Sequence, residues 1–330
     1  MKPLRTVAVP LTLGALLLGV AGCGAGASNA AGSMNADTAS SDAYNIKPLL
    51  HPEKKYLGMA ADGIPGSLKP MDEFSKAAGK NPNLVGYFVA WNTPFNSAEA
   101  KDIWAKGALP FMNWEPFDAS LSSIAAGKSD AYIRDYAKNV RKLDVPIAMT
   151  FGHEMNGDWY PWGSGKASAK DFVAAWKHVH DLFKDEGASN VIWTWSANIT
   201  LPVPNVKLKP YWPGDEYVDW VGVVGYYVKN GPSTFKSLYG STMDEIRTFT
   251  QKPFLIPETG SEPGSRKASD INSLFQGVAS RDDVLGFIWF NIDKESNWRI
   301  DSGAQAEQAF RTNAADGAFG FDPGSLGSSH

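Results

Sequence analysis

Eight short apolar runs, separated by stretches of helical period and closed at their C-terminal ends by carboxylates and aromatic rings, predict a single (β/α)8 barrel. The runs fall at 56–61, 84–91, 109–114, 147–153, 191–197, 220–227, 254–258 and 286–291. They are apolar almost throughout rather than alternating, as parallel strands covered on both faces must be. Helical segments are expected at 70–79, 98–106, 130–143, 169–186, 242–250 and 269–279, with 301–312 after the eighth strand. Several open on a capping side chain and stop at glycine, most plainly the fourth, between Ser168 and Gly187. The proline-rich stretch 200–217 reads as loop. Eight such units in about 270 residues match the size of a closed barrel. An open doubly wound sheet would also alternate strand and helix, but the first strand is not followed by a glycine-rich phosphate loop.

The composition, 43% hydrophobic and 20% charged over 330 residues, suits a globular chain with a full core. A net charge of −4 offers no basic footprint, so nucleic acid is not an expected partner. The outlier is aromatic content: 12 Trp, 11 Tyr and 17 Phe imply either a ring-rich core or a groove that stacks on flat ligands.

The N-terminus carries a processing signal, with Lys2 and Arg5 ahead of an apolar stretch at 7–20 too short to span a bilayer comfortably. It runs into Val20-Ala21-Gly22-Cys23, which holds the one cysteine of the sequence and resembles the bacterial lipobox. That resemblance implies a signal peptide at 1–22, a diacylglyceryl group on Cys23, and a lipoprotein on the outer face of the cytoplasmic membrane. An ordinary secretory signal is the alternative, and either reading exports the chain. Residues 23–45 are too poor in bulky apolar side chains to order themselves and read as a flexible tether. The barrel then occupies 46–320, followed by a short tail at 321–330. Membrane contact is expected through the anchor alone, and the chain is expected to act as a monomer.

A barrel of this kind places its chemistry at the C-terminal ends of its strands. Glu154 follows the fourth strand, and Glu258 ends the seventh. Asn198 follows the fifth, Tyr226 and Tyr227 close the sixth, Trp289 and Phe290 the eighth, and Trp91 and Trp114 the second and third. A glutamate directly after a buried strand is expensive to desolvate, which marks it as a functional candidate. Trp159, Tyr160 and Trp162 lie within eight residues of Glu154 and supply flat apolar faces with polar edges, suited to sugar rings. Two carboxyls facing each other across a barrel mouth are what glycoside hydrolysis requires. A separation of about 5–5.5 Å gives retention of configuration, and roughly 6.5–9.5 Å gives inversion.

Other chemistries fit less well. His153-Glu154 would open a helical zinc motif only with a second histidine where Gly157 stands, and His178 and His180 do not share a helix face. The residues around Ser261 lack a nucleophile elbow. No metal and no cofactor are expected. Trp193 and Trp195 share one side of their strand and belong either to core or to groove. Trp104 and Trp176 read as packing, while Glu115 and Asp118 either line the cleft or, as the favoured reading, lie in a solvated loop. Lys294, Glu295 and Arg299 form either a salt-bridged loop or a distal subsite.

The chain resembles glycoside hydrolase family 26, a family of retaining (β/α)8 glycosidases. The likeness rests on His153-Glu154-Met155-Asn156-Gly157 with Trp159-Tyr160-Pro161-Trp162-Gly163, on Tyr211-Trp212-Pro213-Gly214-Asp215, on Pro257-Glu258-Thr259-Gly260, and on Trp289 with Lys294-Glu295 and Trp298-Arg299. The resemblance implies that Glu154 is the general acid/base and Glu258 the nucleophile, acting on a β-linked polysaccharide with β-1,4-mannan favoured. It further implies that His153 bonds near the catalytic centre, that Tyr226 donates to the nucleophile, and that Trp289 stacks on the sugar at the cleaved position with Trp159 beside it. Asn198, Trp91, Trp162 and Trp298 complete the expected binding residues. Val224 stands where many members carry an aspartate, which keeps mixed-linkage β-glucan and β-1,3-xylan open as substrates. A non-catalytic sugar-binding lipoprotein is the reading from another class.

Overall fold

The computed structural model describes residues 45–326, so the signal, Cys23 and most of the tether lie outside the described residues. The strands are β1 (Tyr56–Ala60), β2 (Leu84–Ala90), β3 (Leu109–Glu115), β4 (Ile147–Phe151), β5 (Val191–Asn198), β6 (Trp220–Tyr227), β7 (Phe254–Ser261) and β8 (Val284–Phe290). They pair in parallel in chain order, and β8 closes on β1. The described helices are α1 (Lys47–Leu50), α2 (Lys69–Ala78), α3 (Ser97–Ala105), α4 (Leu121–Ala125), α5 (Asp130–Arg141), α6 (Ala169–Asp185), α7 (Phe235–Arg247), α8 (Lys267–Ala279) and α9 (Ala304–Ala314). The predicted (β/α)8 barrel is the observed fold.

Alternation along each strand divides the core in two. One set of side chains, among them Tyr56, Leu109, Phe111, Ala148, Ile192, Trp220, Leu255 and Ile288, fills the barrel. The other set, including Met59, Met112, Met149, Trp193, Val221, Ile256 and Trp289, packs outward against the helices. Each fully buried large side chain contributes about 1.5–3 kcal/mol relative to exposure. The short α1 sits at the N-terminal end of the barrel. There Leu49 is buried, its carbonyl accepts from Tyr56 Oη at 2.9 Å, and Trp220 Nε1 donates to Leu50 O at 3.2 Å.

Three departures from the predicted elements have identifiable causes. The helix expected from residue 242 begins at Phe235, because Thr234 and Ser237 form a reciprocal capping box. Its buried stripe of Phe235, Leu238, Tyr239, Thr242, Met243 and Ile246 outweighs Gly240, which costs about 1 kcal/mol in a helix interior. β4 stops at Phe151 rather than at His153, since Gly152 and Glu154 adopt positive φ of 58° and 54° and turn the chain. β7 runs past Glu258 to Ser261 and carries an extra residue. Gly222 and Gly225 of β6 face Leu255 and Thr259 of β7, so three steps on one strand oppose four on the other. Against β8, the pairs Ile256–Phe287 and Thr259–Trp289 place the same excess between Ile256 and Thr259. This β-bulge falls on Pro257 and Glu258.

Candidate active site

Two features bring Glu154 into the barrel mouth. The left-handed turn at Gly152 and Glu154 bends the chain inward, and Glu154 N donates to Ser196 O of β5 at 2.7 Å. The Glu154 side chain is 7% exposed. Its Oε2 accepts from Trp159 Nε1 at 2.8 Å and its Oε1 from Asn198 Nδ2. Asn198 is itself fixed by an exchange with Asn156: Asn156 Nδ2 donates to Asn198 O, and Asn198 N donates to Asn156 Oδ1, each at 2.9 Å. Trp159 lies directly over Gly157, where a Cβ would fall within 2.5 Å of three ring atoms. The glycine is thus required by the ring above it, not by its dihedrals.

Glu258 is delivered by the bulge of β7, and its Oε1 accepts from Tyr226 Oη. Burial raises both carboxyls above their ordinary values, Glu258 to about 8. For Glu258 the Glu154 charge adds to the rise, the Tyr226 hydroxyl opposes it, Glu115 adds again and Lys294 opposes. For Glu154 the bonds from Asn198 and Trp159 oppose the effect of burial. Glu258 therefore senses the Glu154 charge, and burial favours the protonated form of both carboxyls. Tyr226 is held well above the usual phenol range, chiefly by burial and by Glu258, and remains a donor. His153 is pushed down to about 3 by burial and is neutral; its Nε2 lies 3.1 Å from Tyr160 Oη.

Of the binding residues expected from sequence, His153, Trp159, Asn198, Tyr226 and Trp298 surround this pair. Trp298 packs against Tyr226 with ring centroids 4.7 Å apart. Three tryptophans require correction. Trp289 has no exposed surface, faces outward against Phe310 of α9, and donates from Nε1 to Trp298 O at 2.9 Å. It supports the Trp298 loop from behind and has no face free for a sugar. Trp91 is packed among Trp114, Tyr132 and Phe151 in the outer layer. Trp162 stacks on Tyr160 at 4.4 Å and donates to His153 O at 2.7 Å, so it braces the turn that carries Glu154.

Other residues were not anticipated. Phe290, one position past Trp289, points inward and meets Tyr226 and Phe88 edge-on. Phe88 itself is half-buried and borders His153. Glu115, expected in a solvated loop more readily than along the cleft, is the last residue of β3 and only 4% exposed. Lys267 is buried in α8 and donates from Nζ to the carbonyls of Asn297 and Trp298, each at 3.0 Å. Its one signal in the sequence was a lysine at the start of a helix following a catalytic strand. Trp193 and Trp195 belong to the core outside the barrel. Among the described residues, no group of three or more His, Cys, Asp or Glu is placed to hold a metal ion.

Residues 117–298, more than half of the chain, match the model of glycosyl hydrolase family 26. Endoglucanase H of Acetivibrio thermocellus is 30% identical over 263 residues, covering 76% of this chain and 29% of that protein. A mannan endo-1,4-beta-mannosidase of Bacillus subtilis is 25% identical over 282 residues, covering 73% of this chain and 74% of the relative. The chain thus spans under a third of the first relative and about three quarters of the second. A solved family 26 beta-mannanase from Bacteroides ovatus superposes with a TM-score of 0.62 at 16% identity, over 83% of this chain and 92% of that one, which bears on the fold alone. The family match spans the strand ends that carry both glutamates, and this chain belongs to glycosyl hydrolase family 26.

Proposed function

We propose that the chain is a retaining endo-β-glycanase in which Glu154 is the acid/base and Glu258 the nucleophile. The observation that carries this reading is the pair itself: buried Glu154 after β4 and half-buried Glu258 in β7, both raised, with separate hydrogen-bond supports. Double displacement needs one of the two carboxyls protonated and the other ionised. A bound glycosidic oxygen beside Glu154 favours its neutral form. Positive charge developing at the anomeric carbon, with the Tyr226 hydroxyl, favours the ionised form of Glu258. Glu258 attacks the anomeric carbon as the glycosidic bond breaks, and the proton of Glu154 passes to the leaving oxygen. Water then attacks the glycosyl-enzyme ester, Glu154 takes the water proton, and Glu258 is released as carboxylate. Trp159 and Phe88, both part-exposed, supply apolar faces for the rings of the chain being cut, and Trp298 packs behind Tyr226.

The favoured substrate is β-1,4-mannan, in line with the name of the Bacillus subtilis relative. A gluco-configured backbone is the second reading. It is favoured by Val224, a buried apolar residue two positions before Tyr226, and by the identity to a protein named as an endoglucanase. A polysaccharide panel of mannan, mixed-linkage β-glucan and β-1,3-xylan, with proton NMR of the first-formed anomer, tests both. Hydrolysis with β-anomer released first, lost in Glu154→Gln and Glu258→Gln, is the expected result. Sugar binding without hydrolysis by the unaltered chain would instead make it a binding protein.

A further inference from the structure

Glu115 has no part in the chemistry above, yet it is built into the same mouth. It follows Leu109, Phe111 and Asn113 on the inward face of β3, opposite Ala90 of β2. It is 4% exposed, and its Oε1 is buried without a hydrogen-bond partner. An orphaned carboxyl oxygen in a buried position is costly, and native structures retain one where something arrives to satisfy it. The electrostatic surroundings identify the space it shares: Glu115 senses both Glu154 and Lys294, and Glu258 senses both Glu115 and Lys294. Lys294 belongs to the loop between β8 and α9, and its ammonium is only loosely engaged, 3.8 Å from Glu295. Two further buried ring nitrogens at this site, His153 Nδ1 and Trp298 Nε1, also lack partners. The lining of the mouth therefore presents unsatisfied acceptors and donors together, as a site for a polyhydroxylated ligand does.

We propose that Glu115 is a substrate-binding residue that takes a hydroxyl of a sugar ring held in this mouth, with Lys294 acting on a neighbouring oxygen of that ring. The proposal rests on the reading of the cleft as a glycan site. Glu115 fixes the ring's position relative to the catalytic pair, and Lys294 opposes the rise that burial and Glu154 impose on the Glu115 carboxyl. The preference this creates is for a ring whose hydroxyl reaches the base of the cleft on the β3 side. Glu115 thereby becomes a specificity determinant that Val224, on the β6 side, does not replace.

The test uses calorimetric binding of β-1,4-mannohexaose and of a mixed-linkage glucan hexasaccharide to the hydrolysis-blocked Glu154→Gln chain. Adding Glu115→Ala is expected to weaken binding of the productive oligosaccharide by about 10- to 100-fold, the loss of one buried hydrogen bond to a charged or polar partner. Glu115→Gln, which keeps the shape and one acceptor, is expected to recover part of that loss and guards against a folding defect. Unchanged affinity in both variants with a lowered melting temperature would overturn the proposal and make Glu115 structural. Unchanged affinity with a shifted pH profile of hydrolysis, measured with Glu154 intact, would also overturn it, leaving Glu115 acting only on its neighbours' protonation. Hydrolysis by the unaltered chain is scored separately, so failure of the glycanase reading is distinguishable from failure of this one.

Discussion

Substituting Gly157 by alanine isolates the support of the acid. The added Cβ would lie within 2.5 Å of three atoms of the Trp159 ring, whereas carbon atoms sit about 3.5–4.0 Å apart at contact. The ring must therefore move by about 1 Å, which takes its 2.8 Å bond to Glu154 Oε2 out of range. A hydrogen bond to a charged group contributes about 1.5–3 kcal/mol, so kcat is expected to fall by about 10- to 150-fold. The same bond opposes the rise in the Glu154 pKa. Its loss stabilises the protonated acid, and the alkaline limb of kcat against pH is expected to move to higher pH. The assay is reducing-sugar release from a soluble polysaccharide across pH, for Gly157→Ala, Trp159→Phe and the double variant. If the glycine acts through the ring, the double variant is no slower than Trp159→Phe alone. Additive losses, or a Gly157→Ala chain within twofold of the parent, would refute the reasoning.

Three further outcomes follow from the same geometry. Glu258 is raised in the folded chain from an ordinary 4.5 to about 8, so the folded state keeps a proton that the unfolded state releases. The associated stability is complete below pH 4.5 and is lost as pH rises toward 8. Glu258→Gln is therefore expected to melt several degrees above the parent at pH 8.5 and level with it at pH 4, and equal melting at both would contradict the raised value. Trp289→Phe, which empties part of the packing against α9, should lower the melting temperature while leaving KM within about twofold, because the ring has no exposed face. A raised KM with unchanged melting would restore the sugar-stacking role. Cys23→Ser, expressed with the full signal, should shift the protein from the membrane fraction to the medium, and an unchanged distribution would favour an ordinary secretory signal.

The barrel was legible because its strands are buried on both faces, leaving eight apolar runs that no half-exposed sheet would show. The same property hid which way each residue points. With both faces apolar, nothing in the sequence separates Trp289, packed on α9, from Phe290, which faces the cleft. The two glutamates could be read because charge at a buried strand end is costly. Glu115 satisfies the same criterion but looked like the start of a loop, since β3 was ended one residue early. Lys267 was hidden for a different reason: its partners are main-chain carbonyls some thirty residues away, and carbonyls carry no sequence signal.

The extra residue in β7 makes the placement of Glu258 a matter of counting along the strand. Inward and outward positions follow one another strictly, so an ideal strand of the same sequence would turn either Pro257 or Glu258 toward the helices. Anyone grafting this strand into another eight-stranded scaffold must carry the irregularity with it. Forcing the strand into regular pairing with every residue kept would conserve each side chain needed for the chemistry and still point the carboxylate into the wall of the barrel.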